Sequence, residues 1–260
     1  MKIALDARKS AQENAAMHFQ RAKELARKAK GASEAIAETQ KELDAEEKKL
    51  GAAKEESRSS VPEMRRQKEW FEKFKWFFTS GGRLVAAGRD AKQNDLLVAK
   101  VMGDEDLFFH ADIQGAPATI LVGGRQASAQ EKSEAAQFAA SHSSAWKVGA
   151  AAVDVYAVSK PQLSKHAQGG FVGAGGFAIK GEREWFRQTP LGLAIAGATG
   201  MPTCIPLAHP DSAGAKAWLY PGREEKGKVA SGIALLLSCR VDEVLLALPS
   251  GGFLLKKRGV

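Results

Sequence analysis

A helix-forming run at the N-terminal end, positions 10 to 57, constrains the fold more than any other part of the sequence. The run contains no proline and almost no β-branched residue, and Ala, Glu, Lys, Gln and Arg dominate it. Apolar residues recur at the seven-residue spacing of a coiled-coil seam, at Ala15, Ala22, Ala29, Ile36, Leu43 and Leu50. Polar residues hold the alternate seam position in the second half, which makes the seam weak and one-sided. The run predicts one long helix, because roughly 40 such residues span about 60 Å without a break.

A turn signal and an aromatic-rich stretch follow the long helix. The serine-rich segment 57–60 predicts a turn, and Pro62 suits the first turn of a second helix. The apolar stripe of that helix would consist of Trp70, Phe74 and Phe77. We therefore expect residues 1–78 to form an antiparallel helical hairpin, a coiled coil. The return helix is too short to cover the first helix, so the exposed seam also predicts a coiled-coil dimer.

The rest of the chain predicts a mixed α/β globular domain, so the expected fold class is α+β. Two adjacent glycines at 81 and 82 predict a β-hairpin turn between the apolar segments 76–78 and 84–87. Helical patterns cover 91–102, 128–146 and 224–237, and strand patterns cover 107–110, 118–122, 150–159, 177–180, 191–196, 203–207, 217–220 and 253–256. We divide this part into an α/β domain at 79–190 and a C-terminal α/β extension, packed on it, at 191–260.

Charge and cysteine content narrow the function classes. The formal net charge of +8 favours an anionic partner, RNA or DNA first. Two cysteines in 260 residues do not make a disulfide framework, which favours a reducing compartment. No apolar run approaches the roughly 20 residues that a bilayer requires. We expect a soluble, cytoplasmic protein without a membrane segment.

A degenerate phosphate-loop motif keeps a nucleotide-binding enzyme open as an alternative. Residues 222–228 follow the pattern G-x-x-x-x-G-K between a strand and a helix. The position of the Mg²⁺-binding hydroxyl holds Val229, and Glu224 and Glu225 inside the loop would repel phosphate. The glycine-rich stretch 169–176 leads into a strand, so it favours a flexible loop over a binding surface and not a dinucleotide site.

Catalytic and metal-binding patterns are weak. His110 and Asp112 share one face of a strand, and Cys204 lies close to His209 in sequence, but neither pair has the spacing of a metal site. The sequence contains no nucleophile elbow. We therefore predict no catalytic residue, no metal and no cofactor, and we expect a protein that is not an enzyme.

Several basic and polar clusters follow the ends of predicted strands, the pattern expected when loops converge on one surface. Lysine and arginine in such loops suit phosphate groups, and histidine suits stacking or hydrogen bonding. The candidate RNA-binding residues are Arg89, Asp90, Lys92, Asn94, His110, Asp112, Lys160, Lys165, Lys180 and Arg183.

Blocks of the sequence resemble the RNA-binding domain of NFACT proteins. The blocks are Trp70–Phe77, Gly88–Asp95, Asp106–Asp112, Gly115–Pro117, Ala135–Ser141, Val153–Lys160 and Gly175–Gly181. The opening segment Asp6–Ala15 is similar to the start of the middle coiled coil of that family, and Leu248–Gly251 resembles its archaeal form. The blocks occur in the family's order and cover nearly the whole chain.

The resemblance implies a component of ribosome-associated quality control, which binds tRNA, ribosomal RNA and the large ribosomal subunit in rescue of stalled translation. It implies phosphate contacts from Arg89 and Lys92, a stacking or hydrogen-bonding role for His110, and loop positioning by Asp90 and Asp112. Full-length members begin with a large N-terminal domain, and this chain starts at the coiled coil. A split gene with a separate N-terminal NFACT subunit as partner, a truncated paralogue and an excised portion are the open alternatives. A coiled-coil assembly protein is the remaining alternative function.

Overall fold

The computed structural model describes residues 4–58, 69–167, 170–196 and 202–258, with the backbone alone at 42–58 and 167. The chain divides into two compact units, Met1–Pro62 and Glu63–Val260. Among the described residues, no helix is both long and apolar enough to cross a membrane.

The first unit contains one long helix, α1 (Ala11–Arg58), as predicted. Its start is fixed by local hydrogen bonds from short polar side chains. The Ser10 hydroxyl caps the helix by accepting from the Glu13 amide at 3.3 Å, while a Glu13 carboxylate oxygen accepts from the Ser10 amide at 2.8 Å. The Asn14 side chain accepts from the Asp6 amide at 2.8 Å and donates to three backbone carbonyls of the preceding loop. Polar residues therefore stand at the start of the helix because their side chains pair with backbone groups there.

The prediction of a return helix is wrong for its second part, from Trp70 onward. Residues 59–68 lie outside the described range, but Trp70–Lys73 is a single 3₁₀ turn and Lys75–Phe78 is a strand, β1. In a strand, Phe77 points into the core and is fully buried, while its neighbours Trp76 and Phe78 point to the other face. The aromatic run therefore alternates with a period of two, which a helical reading of Trp70, Phe74 and Phe77 did not capture.

A six-stranded antiparallel sheet forms the centre of the second unit, in the order β1-β2-β4-β3-β5-β10. Its strands are β1, β2 (Leu84–Ala87), β3 (Leu107–Ala111), β4 (Thr119–Leu121), β5 (Ala152–Ser159) and β10 (Glu184–Pro190). The predicted hairpin between β1 and β2 is confirmed, with Phe78 paired to Leu84. Alternating side chains of β2, β3, β4, β5 and β10 divide between two apolar clusters, one on each face, and Phe77 of β1 joins the first of them.

Helix α3 (Ala129–Ser141) covers one face of this sheet and is followed by the short helix α4 (Ser144–Lys147). The single helix predicted over 128–146 is therefore interrupted at His142 and Ser143. Polar contacts fix both ends of α3 against β1. The Thr79 hydroxyl donates to Glu131 at 2.8 Å at the N-terminal end, and Lys75 contacts His142 at the C-terminal end.

The opposite face is covered by α2 (Ala91–Leu96), the π turn at Leu97–Val101 and one of two small hairpins, which pairs β6 (Leu163–Ser164) with β9 (Ala178–Ile179). The other hairpin pairs β7 (His166–Ala167) with β8 (Gly170–Phe171). Phe177 and Ile179 from this segment pack on the apolar cluster around Phe108.

A second, four-stranded antiparallel sheet completes the unit, in the order β12-β11-β13-β14. Its strands are β11 (Leu193–Ala196), β12 (Thr203–Pro206), β13 (Ala217–Glu224) and β14 (Phe253–Lys257), with helices α5 (Lys226–Leu237) and α6 (Val241–Ala247). Its apolar residues join the same cluster as α3 and the first sheet. The two sheets thus share one core.

Candidate nucleic-acid interface

A cleft lies at one end of the six-stranded sheet, where β2 and β3 end and β1 and β4 begin. We call it the sheet-end cleft, and its volume is about 650 Å³. Its lining includes Lys75, Arg89, Asp90, His110, His142 and Lys147, together with Gly175 of the glycine loop. Four of the ten predicted site residues line this cleft, namely Arg89, Asp90, Asn94 and His110.

Arg89 follows β2 and is half-buried in the wall of the cleft. Its Nη2 donates to the carbonyls of Phe74 at 2.9 Å and Glu72 at 3.4 Å, which secures the 3₁₀ turn before β1. Burial lowers the pKa of this guanidinium. Its Nε is buried and has no partner among the described residues. Arg89 therefore stabilises the turn before β1 through its Nη2, while its Nε donor has no partner among the described residues.

Asp90 and Asn94 hold the loop that carries Arg89. Asp90 caps α2 by accepting from the Gln93 amide at 2.8 Å, and buried Asn94 accepts from the Ala118 amide at 3.1 Å. A Cβ on Gly88 would lie 2.1 Å from the Asn94 Oδ1, so only glycine fits there. These contacts position the cleft wall, and a direct RNA contact by either residue stays a prediction.

Lys75 and His142 form the floor of the cleft. The Lys75 Nζ lies 3.1 Å from the Nδ1 of His142. Burial, with nearby Lys226 and Arg89, lowers the pKa of Lys75 to about 8. Burial, with the positive charge of Lys75, holds the pKa of His142 well below its usual range. The floor therefore contains a neutral imidazole beside an ammonium group, and neither residue was singled out from the sequence.

His110 connects the cleft to an aromatic surface on the same end of the sheet. Its ring stacks on Phe108 with centroids 6.0 Å apart and lies 5.7 Å from the ring of Tyr156. Burial lowers the pKa of His110, and the negative charge of Asp112 opposes that shift. Asp112 is exposed just beyond β3.

Strand β10 adds an arginine and tryptophan face next to Tyr156. The Arg183 guanidinium lies 4.5 Å from the Tyr156 ring centroid, and the Arg187 guanidinium lies 3.9 Å from that of Trp185. We call Arg183, Trp185 and Arg187 the β10 face. Arg183 and Trp185 are half-buried, Tyr156 is buried, and Arg187 also pairs with Asp154 at 2.6 Å. Guanidinium and aromatic groups in this arrangement can stack on bases and contact phosphates. Sequence reasoning missed Trp185 and Arg187, although their alternation with Arg183, which directly precedes β10, is the signal that reveals them.

The glycine-rich stretch forms a fixed corner beside the cleft. Asp95 accepts from Lys165 and from the Gly175 amide at 3.1 Å, and Lys165 also donates to the Gly176 carbonyl at 2.8 Å. A Cβ on Gly175 would lie 2.7 Å from the Cα of Ala91, and its φ of +75° favours glycine. The hydrogen bond from Lys165 lowers the pKa of Asp95. The loop was predicted to be flexible, and these contacts instead tie it to α2.

The other predicted basic residues lie apart from the cleft lining. Lys160 donates to the Met102 carbonyl at 2.5 Å, whereas Lys92 and Lys180 are exposed. The structure thus brings part of the predicted set together and distributes the remainder around the same domain.

The degenerate phosphate loop is not a loop. Residues 222–224 belong to β13, and a Cβ on Gly222 would lie 2.4 Å from the backbone of Phe253 in β14. The glycine therefore permits close strand contact, and Lys226 donates to the Leu248 carbonyl at 3.2 Å. Within the described part of the chain, no three His, Cys, Asp or Glu residues are grouped so as to hold a metal ion.

Comparison with known proteins gives a consistent family. Residues 73–181 match the model of the NFACT protein RNA binding domain. The chain is 37% identical over 199 residues to the archaeal Rqc2 homolog aRqcH of Methanocaldococcus jannaschii, covering 73% of this chain and 30% of that protein. It is 34% identical to the ribosome quality control complex subunit NEMF homolog of Drosophila melanogaster, covering 60% of this chain and 17% of that protein. For the ribosome quality control complex subunit NEMF of Homo sapiens the identity is 30%, over 58% of this chain and 15% of the relative.

The chain spans less than a third of the length of each of these relatives. The matched segment 73–181 contains β1 to β9, and therefore nearly the whole lining of the sheet-end cleft. The sequence blocks, the family model and these relatives agree, and the chain belongs to the NFACT family, with its RNA-binding domain at residues 73–181.

Proposed function

We propose that this chain is an RNA- and ribosome-binding factor of ribosome quality control, and that its RNA-binding surface is the sheet-end cleft together with the β10 face. The observation that carries the proposal is the match of 73–181 to an RNA-binding family model over the residues that form the cleft. The relatives of similar sequence are ribosome quality control proteins, which supports the ribosomal part of the proposal.

The proposed surface has the chemistry that single-stranded RNA requires. Arg183 lies over the Tyr156 ring without a carboxylate partner among the described residues, and Trp185 is half-buried with the Arg187 guanidinium 3.9 Å from its ring centroid. Aromatic stacking and unpaired cations recognise bases and phosphates with little dependence on sequence. His110 joins this face to the cleft, so one strand of RNA can follow both.

Within the predicted set we propose that direct contacts come from exposed or unpaired groups, namely Arg89, Lys92, His110, Lys180 and Arg183. Asp90, Asn94 and Asp112 would position the loops. Lys160 and Lys165 would mainly stabilise the domain, through their hydrogen bonds to Met102 and to Asp95 and Gly176. The finer partners that we propose are tRNA and the large ribosomal subunit, with a separate N-terminal NFACT subunit where the gene is split. We propose a binding role in the cytoplasm and not a catalytic one.

A salt titration of binding tests the proposal. Fluorescence anisotropy with a labelled tRNA, and co-sedimentation with large ribosomal subunits, should both show binding that weakens as salt rises, because phosphate contacts release counterions. Absence of binding at low salt, or binding that does not respond to salt, would contradict the proposal.

The exposed apolar residues of α1 favour self-association as a second property. Phe19 is 78% exposed and Ile36 is 70% exposed. Pairing with a second α1 would bury such residues, as in a coiled coil. Light scattering should give twice the monomer mass, and replacing Phe19 and Ile36 with Ser should restore the monomer mass. A monomer for the unaltered chain over the micromolar range would exclude this reading.

A further inference from the structure

The lining of the sheet-end cleft concentrates polar atoms that lack a hydrogen-bond partner. In the described part of the chain, four buried side-chain atoms lack a hydrogen-bond partner, and three of them belong to residues that line this cleft. They are Arg89 Nε, His110 Nδ1 and His142 Nε2. Buried polar groups are nearly always paired in folded proteins, so this grouping requires an explanation.

Two of the three unused atoms are hydrogen-bond donors. The ammonium of Lys75 can only donate, so the Nδ1 of His142 accepts its hydrogen bond and the Nε2 of the neutral ring carries the proton. The Nε of Arg89 can likewise only donate. His142 is only 7% exposed, which makes an unsatisfied N–H costly.

The charge of the same site is also unbalanced. Lys75 and Arg89 line the cleft and Lys226 is close enough to lower the pKa of Lys75. Among the described residues, no carboxylate lies within 4.0 Å of any of these three cations. The carboxylate of Asp90 lines the cleft as well, but it is engaged in capping α2.

We propose that the floor of the sheet-end cleft binds a phosphate group, held by Lys75 and Arg89 as cations and by the Nε2–H of His142 as a neutral donor. A phosphate oxygen accepts hydrogen bonds and carries negative charge, so a phosphate would pair with the unpartnered donors and also balance the positive charge. Resting on the proposed function, we assign the phosphate to a bound RNA strand. The cleft of about 650 Å³ has room for a nucleotide attached to that phosphate, and exposed Lys147 lies at its rim.

Imidazole NMR of the full chain tests the proposal, with inorganic phosphate as the first probe and a single-stranded RNA oligonucleotide as the second. His142→Gln assigns the His142 signal, and His209, which is buried outside the cleft, reports on folding. Chloride at equal ionic strength is the reference. Phosphate should shift the His142 Nε2–H signal saturably, and Lys75→Met should weaken that binding by at least about tenfold, the scale of a lost charge-assisted contact. Lys75→Arg should retain it, as should Lys216→Met, which removes an exposed lysine away from the cleft.

The outcomes separate the two levels of the proposal. A shift with both probes, and competition between them, supports an RNA phosphate. A shift with inorganic phosphate alone supports the phosphate site but contradicts RNA as its source, and therefore the proposed function at this cleft. RNA binding that leaves the His142 signal unmoved, with no response to phosphate, overturns the phosphate site and leaves the proposed function standing.

Discussion

Two basic clusters flank α2, and they differ in how their charge is balanced. At the glycine corner, Lys165 pairs with Asp95 and donates to a backbone carbonyl. At the cleft floor, Lys75 contacts a neutral histidine and no carboxylate among the described residues. The sequence pattern singled out Lys165 and placed Lys75 in the expected helical hairpin, yet the charge of Lys165 is balanced by a carboxylate and that of Lys75 is not. Unbalanced charge, and not the number of basic residues, therefore marks the surface suited to an anion.

The largest expected effect is on stability at the cleft floor. The pKa of Lys75 is about 8 in the folded chain against an ordinary value of 10.5, so between these values the unfolded state binds more protons and stability rises with pH. The stability gained in this way is complete above pH 10.5. It decreases as the pH falls from 10.5 to 8, and it is absent below pH 8. Lys75→Met should therefore stabilise the chain at pH 7, by at most about 3 kcal/mol, and remove this part of the pH dependence. The groups that act on Lys75 are Lys226, Cys204, Arg89 and His142.

Urea denaturation of the unaltered chain and of Lys75→Met, at pH 7 and at pH 10, measures this difference. If the two chains keep the same difference in unfolding free energy at both pH values, Lys75 is not a buried, unbalanced cation.

The second largest effect is a difference in stability between variants of Arg89 and of its neighbour Lys92. Arg89→Ala leaves two backbone carbonyls without a donor and should cost about 2 kcal/mol of stability. Lys92→Ala removes an exposed charge, so it should leave stability within about 0.5 kcal/mol and lower the salt slope of RNA binding by about one phosphate contact. Urea denaturation and RNA titration of each single variant give both quantities. Equal unfolding free energies for the two variants would contradict a stabilising role for the hydrogen bonds of Arg89 to the Glu72 and Phe74 carbonyls.

Stacking on the β10 face should give a smaller effect. Trp185→Leu should weaken binding of single-stranded RNA about tenfold, because stacking contributes about 1–3 kcal/mol per base. Trp218→Leu is the matched control, since Trp218 is also half-buried but lies in β13 of the second sheet. Similar losses in the two variants, measured by anisotropy, would indicate a general effect of losing tryptophan and not a local surface.

The smallest effect is expected at the glycine corner. Replacing both partners of its ion pair, Asp95→Asn with Lys165→Met, removes no net charge from the molecule. Because both side chains are partly exposed, stability should fall by less than about 1 kcal/mol, and the salt slope of RNA binding should stay unchanged. A clear drop in that slope would instead assign a phosphate contact to Lys165.

Sequence patterns predicted the long helix, most strands and the convergence of polar loops, because these depend on local periodicity and turn residues. The return helix through Trp70 and Phe77 was wrong beyond position 69, since aromatic residues suit strands and helices alike and only the partner strand decides. Lys75 was missed for a related reason. Its burial depends on His142, which is 67 positions away in the sequence and reaches it through the packing of α3 on β1.

Cross-linking of RNA that carries photoreactive bases, followed by mapping of the attached peptides, tests the central claim most directly. We expect cross-links to the segments 110–117 and 173–177 and to Trp185, which surround the sheet-end cleft and the β10 face. Cross-links confined to the second sheet and its helices, residues 203–258, would contradict it.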